Sequence, residues 1–512
     1  MSILLTLFAL LLFLIEGFLL VRLLEGEHPI LSHTERIAYG FLLGGSVFSY
    51  SAFWLVLIGL PLTFAGMLIV HILLLLVLGG FFLWRLHGVT ALRSPLLPVS
   101  PLAEPKSRWL SFLIAWCVVW TLVKVVAGGY DLLSTPSYFN DTYASWNMRA
   151  KVFFVEESLL LGREPTDEYF FGGRVPSYPL TVHLSKVWIA KTVGNWNESA
   201  VNSIHLFWFL ALLGIFFSAL KRELNAAWAI AGTAALVSLP LLLVHGVNAY
   251  SDVLMGGFVF AALYGFYRWM RTESTKSEAR NPNDDGARHS WLLIFSFMTT
   301  SMLFVKNEAL LIFIPTIGIL FAYACSKAPS TKHQILNKSQ ALNPKRVSAW
   351  NLGFISDLGF GIWDFLIWLL IVSSVVVPWT LFKWFEGLTF GNATAVSGFS
   401  LQIHDGVAFA VEGDLLYTGS YLLFFPLFLL LLFMGWRFYM RKSLGVLVTF
   451  FLIVFLGEFC IYLLTPLATE AIRHTGFGRG MVHILPVGMF ISMLIVQKYF
   501  SNEWEGCVKG KL

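Results

Sequence analysis

Apolar runs of about twenty residues recur along this 512-residue chain, and they leave few folds open to it. A helix rises about 1.5 Å per residue, so about 20 residues cross the roughly 30 Å hydrocarbon core of a bilayer. Inside that core every backbone amide must find its partner within protein, which leaves helices and closed barrels. A membrane barrel would show alternating segments of about 10 residues, and runs such as LLLLVLGGFFLW do not alternate. The expectation is an all-α polytopic membrane protein. Composition agrees, with 57% hydrophobic and 13% charged residues, against roughly 25% charged in a soluble domain. No room is left for a large soluble domain, and a net charge of +5 does not suggest nucleic acid.

Thirteen apolar spans are read, over about 3–24, 37–58, 62–84, 109–128, 201–220, 226–244, 252–270, 291–305, 308–325, 361–383, 416–435, 444–464 and 481–498. They divide the chain into an N-terminal three-span segment (1–86), a linker (87–108), a larger domain (109–498) and a tail (499–512). No fixed-period repeat is visible. The first run lacks a basic n-region and a small-x-small cleavage site, so it reads as a retained span. Cys117, Cys325, Cys460 and Cys507 are scattered and suggest no disulfide framework or metal spacing.

Short loops on the cytoplasmic side collect Lys and Arg. With thirteen spans, the basic clusters around Arg85–Arg108, Lys221–Arg222, Arg268–Arg288, Lys327–Arg346, Arg437–Lys442 and Lys498–Lys511 all fall on one side, which should be the cytoplasm. The opposite side, periplasmic in a bacterial inner membrane, receives 129–200, 245–251, Lys306–Asn307, 386–415 and 465–480. Its short members are nearly free of cations, so Lys306, Arg473 and Arg479 need an explanation that topology does not supply. The interval from Gly129 to about Lys191 is the longest outside the spans. Trp146, Ala150 and Phe153 recur at helical spacing, and so do Leu180, Leu184, Val187 and Trp188 after Pro179. Arg149, Lys151, Lys186 and Lys191 are available for polar faces, which predicts two amphipathic helices lying in the membrane interface.

Four constellations carry the chemistry. Asp141, just above the bilayer, suits a general base, and it equally suits the N-cap of a helix starting at Thr142. Asp252 stands at the outer mouth of span seven in HGVNAYSD, where a carboxylate could bind substrate or cap the helix with Ser251 as the alternative cap. In Lys306-Asn307-Glu308 the lysine could hold a phosphate as a point charge, or the turn could pair its own ions. RHTGFGRG gathers Arg473, His474 and Arg479 among glycines. Arginine there suits bidentate phosphate recognition, and a basic loop touching lipid headgroups fits as well. The segment lacks the pattern of a nucleotide P-loop. Glu16, His71, Lys124 and Glu458 lie within or near spans and share no pattern, and His404-Asp405 has no supporting motif. Sequons stand at Asn140, Asn197 and Asn392.

The order of these sites resembles that of integral-membrane glycosyltransferases of the GT-C superfamily, near the protein O-mannosyltransferases and the bacterial lipid A aminoarabinose transferases. Asp141, Trp146, Asn147, Ala150 and Lys151 match a D-x-x-x-x-W-N-x-x-A-K segment found in uncharacterised bacterial members. Tyr178-Pro179-Leu180, Ser251-Asp252, Lys306-Asn307-Glu308, and Arg479 with Leu485-Pro486 look like further family segments. The similarity covers roughly residues 109–498. Many relatives carry two adjacent acidic residues in the first external loop; here the first is Asn140, which leaves one carboxylate. The resemblance implies transfer of a sugar from a polyprenyl-phosphate donor to a lipid, glycan or protein acceptor, with membrane lipids as the setting. Asp141 would be the base. Arg149, Lys151, Lys306 and Arg479 would stabilise the departing phosphate, with Trp146, Glu308 and His474 among the substrate-binding residues. Asp252 would orient the acceptor or a divalent cation, and no cofactor is required. Two other functions are weighed. A transporter should place charges near the bilayer midplane in repeated halves. A glycan ligase or polymerase using a diphosphate-linked oligosaccharide would lean on Arg473, His474 and Arg479.

Overall fold

A computed structural model describes residues 2–86, 108–139, 141–159, 177–274, 282–327, 360–388, 404–439 and 443–500. Most of the linker at 87–108, the sequons at Asn140 and Asn392, the basic stretches within 275–281, 328–359 and 440–442, and nearly all of the tail lie outside these residues. The chain is all-helical, with no strand among the described residues. Among the described residues, nine helices are long and apolar enough to cross a membrane, or ten if one sharply bent pair counts as a single span. This is the architecture of a polytopic membrane protein.

Each expected span falls on helix, but not each as one full-length rod. The run at 226–244 is split into α8 (Ala226–Val237) and α9 (Pro240–Gly246), bent by 83°. Pro240 supplies no N–H and disfavours helical geometry at the residue before it. The run at 416–435 starts with a π-turn (Gly413–Tyr417), so its α-helix begins only at Phe424. The run at 481–498 is divided between Phe477–Val482 and Leu485–Phe500. The run at 291–305 is the apolar part of α11 (Pro282–Leu303), whose first turns are polar.

The first three helices, α1 (Ser2–Glu25), α2 (His33–Leu57) and α3 (Phe64–Leu86), are joined by close backbone contact. A Cβ on Gly17 would lie 1.7 Å from the Gly40 carbonyl oxygen, and one on Gly44 would lie 1.8 Å from that of Phe13. Small residues let helices approach in a membrane, where packing rather than water exclusion holds them together. Gly17→Val should therefore destabilise the fold by about 1–3 kcal/mol or more, read as a lowered unfolding temperature in detergent. Between α1 and α3, Glu16 Oε1 and His71 Nδ1 lie 2.5 Å apart, both fully buried. The His71 ring stacks on Phe48 at 4.1 Å.

The second helix of the long external stretch departs from expectation. In α6 (Thr181–Val193), 11 of 13 residues are buried. It packs against α1, α2, α5 (Met148–Glu156) and α7 (Glu198–Glu223) instead of lying on a lipid surface. Its polar groups are absorbed by neighbours. Ser185 pairs with Ser49 at 3.1 Å, and the His183 ring stacks on Trp146 at 5.2 Å. On α5, Arg149, Ala150 and Phe153 face inward, while Lys151 is exposed. The N-terminal helices thus form part of the bed on which the loop helices rest.

Candidate functional site

Asp252, the first residue of α10 (Asp252–Ser274), is fully buried and gathers side chains from three other segments. Its Oδ1 accepts from Lys306 Nζ at 2.7 Å and faces His483 Nε2 at 3.0 Å. Its Oδ2 faces His245 Nδ1 at 2.9 Å and lies 3.5 Å from Arg479. Each partner is brought by a break in helix. His245 lies in the last turn of α9, after the 83° bend, and Lys306 lies in the turn after α11. Arg479 sits in the short Phe477–Val482 helix and His483 caps it.

Arg479 then reaches outward to Asp141 Oδ2, in a charge-assisted hydrogen bond. Its guanidinium also stands 5.0 Å from the Tyr250 ring centroid. Asp141 precedes the π-turn Thr142–Asn147 but makes no side-chain capping bond. Its carboxylate is committed to Arg479, 338 residues away in sequence. Burial works against the charge on Arg479 and on Lys306. Asp252 and Asp141 more than offset it for Arg479, and Asp252 and Glu308 do so for Lys306, so both hold their protons more firmly than usual. Lys306 also lies 3.5 Å from Glu308.

Asp141, Asp252, Lys306, Glu308 and Arg479 are therefore one connected cluster. Trp146 and Arg149 stand behind it. The Trp146 ring lies 5.4 Å from that of Tyr178, and Arg149 donates to the Tyr178 carbonyl at 3.0 Å. Burial pulls the Arg149 pKa down to about 9. Two candidates fall outside. Lys151 points away on the exposed face of α5. His474, at a left-handed φ of 55°, pairs with Asp414 at 2.7 Å, and Arg473 is exposed beside it. Glu458 joins from the side: a Cβ on Gly480 would lie 3.1 Å from its Oε2. The sequon residue Asn197 is the N-cap of α7, accepting from the Ala200 amide at 3.0 Å.

Sequence reasoning missed His245 and His483. Their signals were slight: His245 opens the HGVNAYSD segment, and His483 lies four residues after Arg479, on the same helical face. A divalent cation fits Asp252 poorly, because both oxygens already face nitrogen and two neighbours are cations. Among the described residues no group of three or more His, Cys, Asp or Glu could hold a metal.

A second polar knot forms at the end of the π-turn that follows Asp141. Lys186, fully buried on α6, donates to Asn147 Oδ1 at 2.5 Å and Asn202 Oδ1 at 3.2 Å. Both amides donate in turn to the Ser137 hydroxyl. Burial pushes the Lys186 pKa down to about 7, with Glu198 opposing. A neutral amine has two N–H donors, which these two amides accept. The unfolded chain keeps an ordinary lysine pKa, so above about 7 it holds a proton the folded chain has shed. Stability should then rise with pH from about 7 toward 10. Thermal unfolding in detergent at pH 7 and pH 9 should show this climb, and Lys186→Met should flatten it.

No protein-family model, no curated protein and no solved structure matches the chain. The functional reading therefore stands on the cluster itself.

Proposed function

We propose that the chain is an integral-membrane glycosyltransferase of the GT-C kind. It moves a sugar from a polyprenyl-phosphate donor to an acceptor hydroxyl on the external face, with thirteen crossings and the basic loops in the cytoplasm. The observation that carries this reading is Arg479 bridging Asp141 to Asp252, with Lys306 on the opposite oxygen of Asp252. A carboxylate that accepts protons and two cations that attract a phosphate meet at one place, supplied by segments hundreds of residues apart.

In the proposed step, the Asp141 carboxylate takes the proton from the acceptor hydroxyl. The acceptor oxygen forms a bond to the anomeric carbon as the bond from that carbon to the phosphate oxygen breaks. The electron pair leaves with the lipid phosphate, and the anomeric centre inverts. Arg479 and Lys306 stabilise the charge that develops on the phosphate. Donor phosphate would compete with Asp141 for Arg479, so binding would free the base at the moment it is needed. The ligase reading draws less support, since Arg473 and His474 are not gathered with Arg479.

The direct test is incubation of purified protein with radiolabelled polyprenyl-phosphate sugars and an envelope lipid extract, followed by mass spectrometry. A sugar-bearing product together with released polyprenyl phosphate is expected. If no donor in a broad panel is consumed, the reading fails.

A further inference from the structure

We propose that Lys383 and Asn307 form a second anion-binding position beside the Asp252 cluster, which takes a second acidic oxygen group of the substrate. This rests on the reading that a donor phosphate binds at Lys306 and Arg479. Lys383 lies near the end of the Phe360–Phe385 helix and is 1% exposed. Its Nζ donates to Asn307 Oδ1 at 2.6 Å and stands 5.2 Å from the Trp379 ring. Among the described residues it makes no ion pair. The charged groups near enough to act on it are Arg149 and Glu308, and Glu308 directs Oε1 to Lys306.

Asn307 is equally buried, at 4% exposure, and its Nδ2 has no hydrogen-bond partner. The amide cannot turn over to find one. A flip would take away the oxygen to which Lys383 donates and set Nδ2 against the lysine nitrogen. Unsatisfied N–H donors therefore sit side by side on a buried amide and a buried lysine amine. Lys306 and Arg479 differ, because Asp252 and Asp141 already match them. A lysine amine, which an incoming acidic group would keep protonated, and an amide N–H with no carboxylate between them are a donor set that recognises phosphate or carboxylate oxygen.

Lys306 and Asn307 are consecutive, and Glu308 lies close to both lysines, so the two positions are neighbours. That adjacency suits two acidic groups on one substrate. Two sources share this chemistry: a diphosphate in place of a single phosphate, or a monophosphate bearing an acidic sugar.

The test uses full-length protein in nanodiscs and two matched ligand pairs. One pair is polyprenyl monophosphate and polyprenyl diphosphate. The other is polyprenyl-phosphoryl glucose and polyprenyl-phosphoryl glucuronic acid. Wild type should bind the more acidic member of one pair at least about tenfold more tightly, and that pair names the source. Lys383→Met should erase the preference. Asn307→Asp should erase it too while keeping an acceptor for Lys383, so loss of fold does not explain the result. Equal affinities within both pairs overturn the proposal, as does a preference that survives both substitutions. Failure of the lipid-phosphate reading looks different: polyprenyl monophosphate would bind Arg479→Ala as well as it binds wild type.

Discussion

Asp141→Asn is expected to lower turnover of a polyprenyl-phosphate sugar by about 10²–10⁴-fold, the usual contribution of a positioned base. Asparagine is isosteric and keeps an oxygen for Arg479, but it cannot accept the acceptor's proton. The structural cost should be small. The Asp141 side chain is 41% exposed and Arg479 is 25% exposed, and solvent-screened pairs contribute about 0–1 kcal/mol. The variant should therefore unfold near the wild-type temperature, and donor binding should hold or tighten, because no carboxylate then competes with the phosphate for Arg479. Binding measured alongside single-turnover transfer separates these effects. Near wild-type turnover in Asp141→Asn would remove Asp141 as the base.

Asp252→Ala should have the largest effect on stability. The carboxylate is fully buried and faces Lys306, Arg479, His245 and His483. Arg479 would keep Asp141, but Lys306 would retain only Glu308 at 3.5 Å. Removing one member of a buried ion pair costs about 3–5 kcal/mol, because the remaining charge stays in a low-dielectric site. Lys306→Met on its own removes the nearest cation from Asp252 and leaves it Arg479 at 3.5 Å and the two histidines. The double variant removes both charges, so it should be less destabilised than the two single effects added together. Thermal unfolding of the four proteins in one detergent gives the cycle. Additive effects, or an Asp252→Ala protein as stable as wild type, would show that the cluster is not coupled.

Much of the fold was legible because hydrocarbon thickness dictates a length that sequence shows directly. The breaks were less so. The run at 226–244 reads as one span although Pro240 lies inside it, and the helix at Phe424 begins only after Tyr421, whose hydroxyl bonds the Gly478 carbonyl. The two-helix pattern in the external stretch was also readable, from Trp146, Phe153, Leu184 and Trp188. Where α6 lies was not. A 13-residue helix bearing His183, Ser185 and Lys186 reads as amphipathic until Asn147, Asn202 and Ser49 are placed around it.

The candidate site divides the same way. Sequence marked Asp141, Asp252, Lys306 and Arg479 as ionisable groups at the ends of apolar runs, and left each open to a local role as cap, turn or headgroup contact. It set the secondary-structure class and the residues that resist explanation by topology. Tertiary structure decided between the local and long-range roles: Asp141 caps nothing and meets Arg479, and Asp252 gathers partners 7, 54, 227 and 231 residues away (252 − 245, 306 − 252, 479 − 252, 483 − 252). Helical periodicity is local and leaves its mark on neighbouring residues. A buried charge takes its partner from whatever segment packing brings near, and spacing along the chain carries no record of that choice.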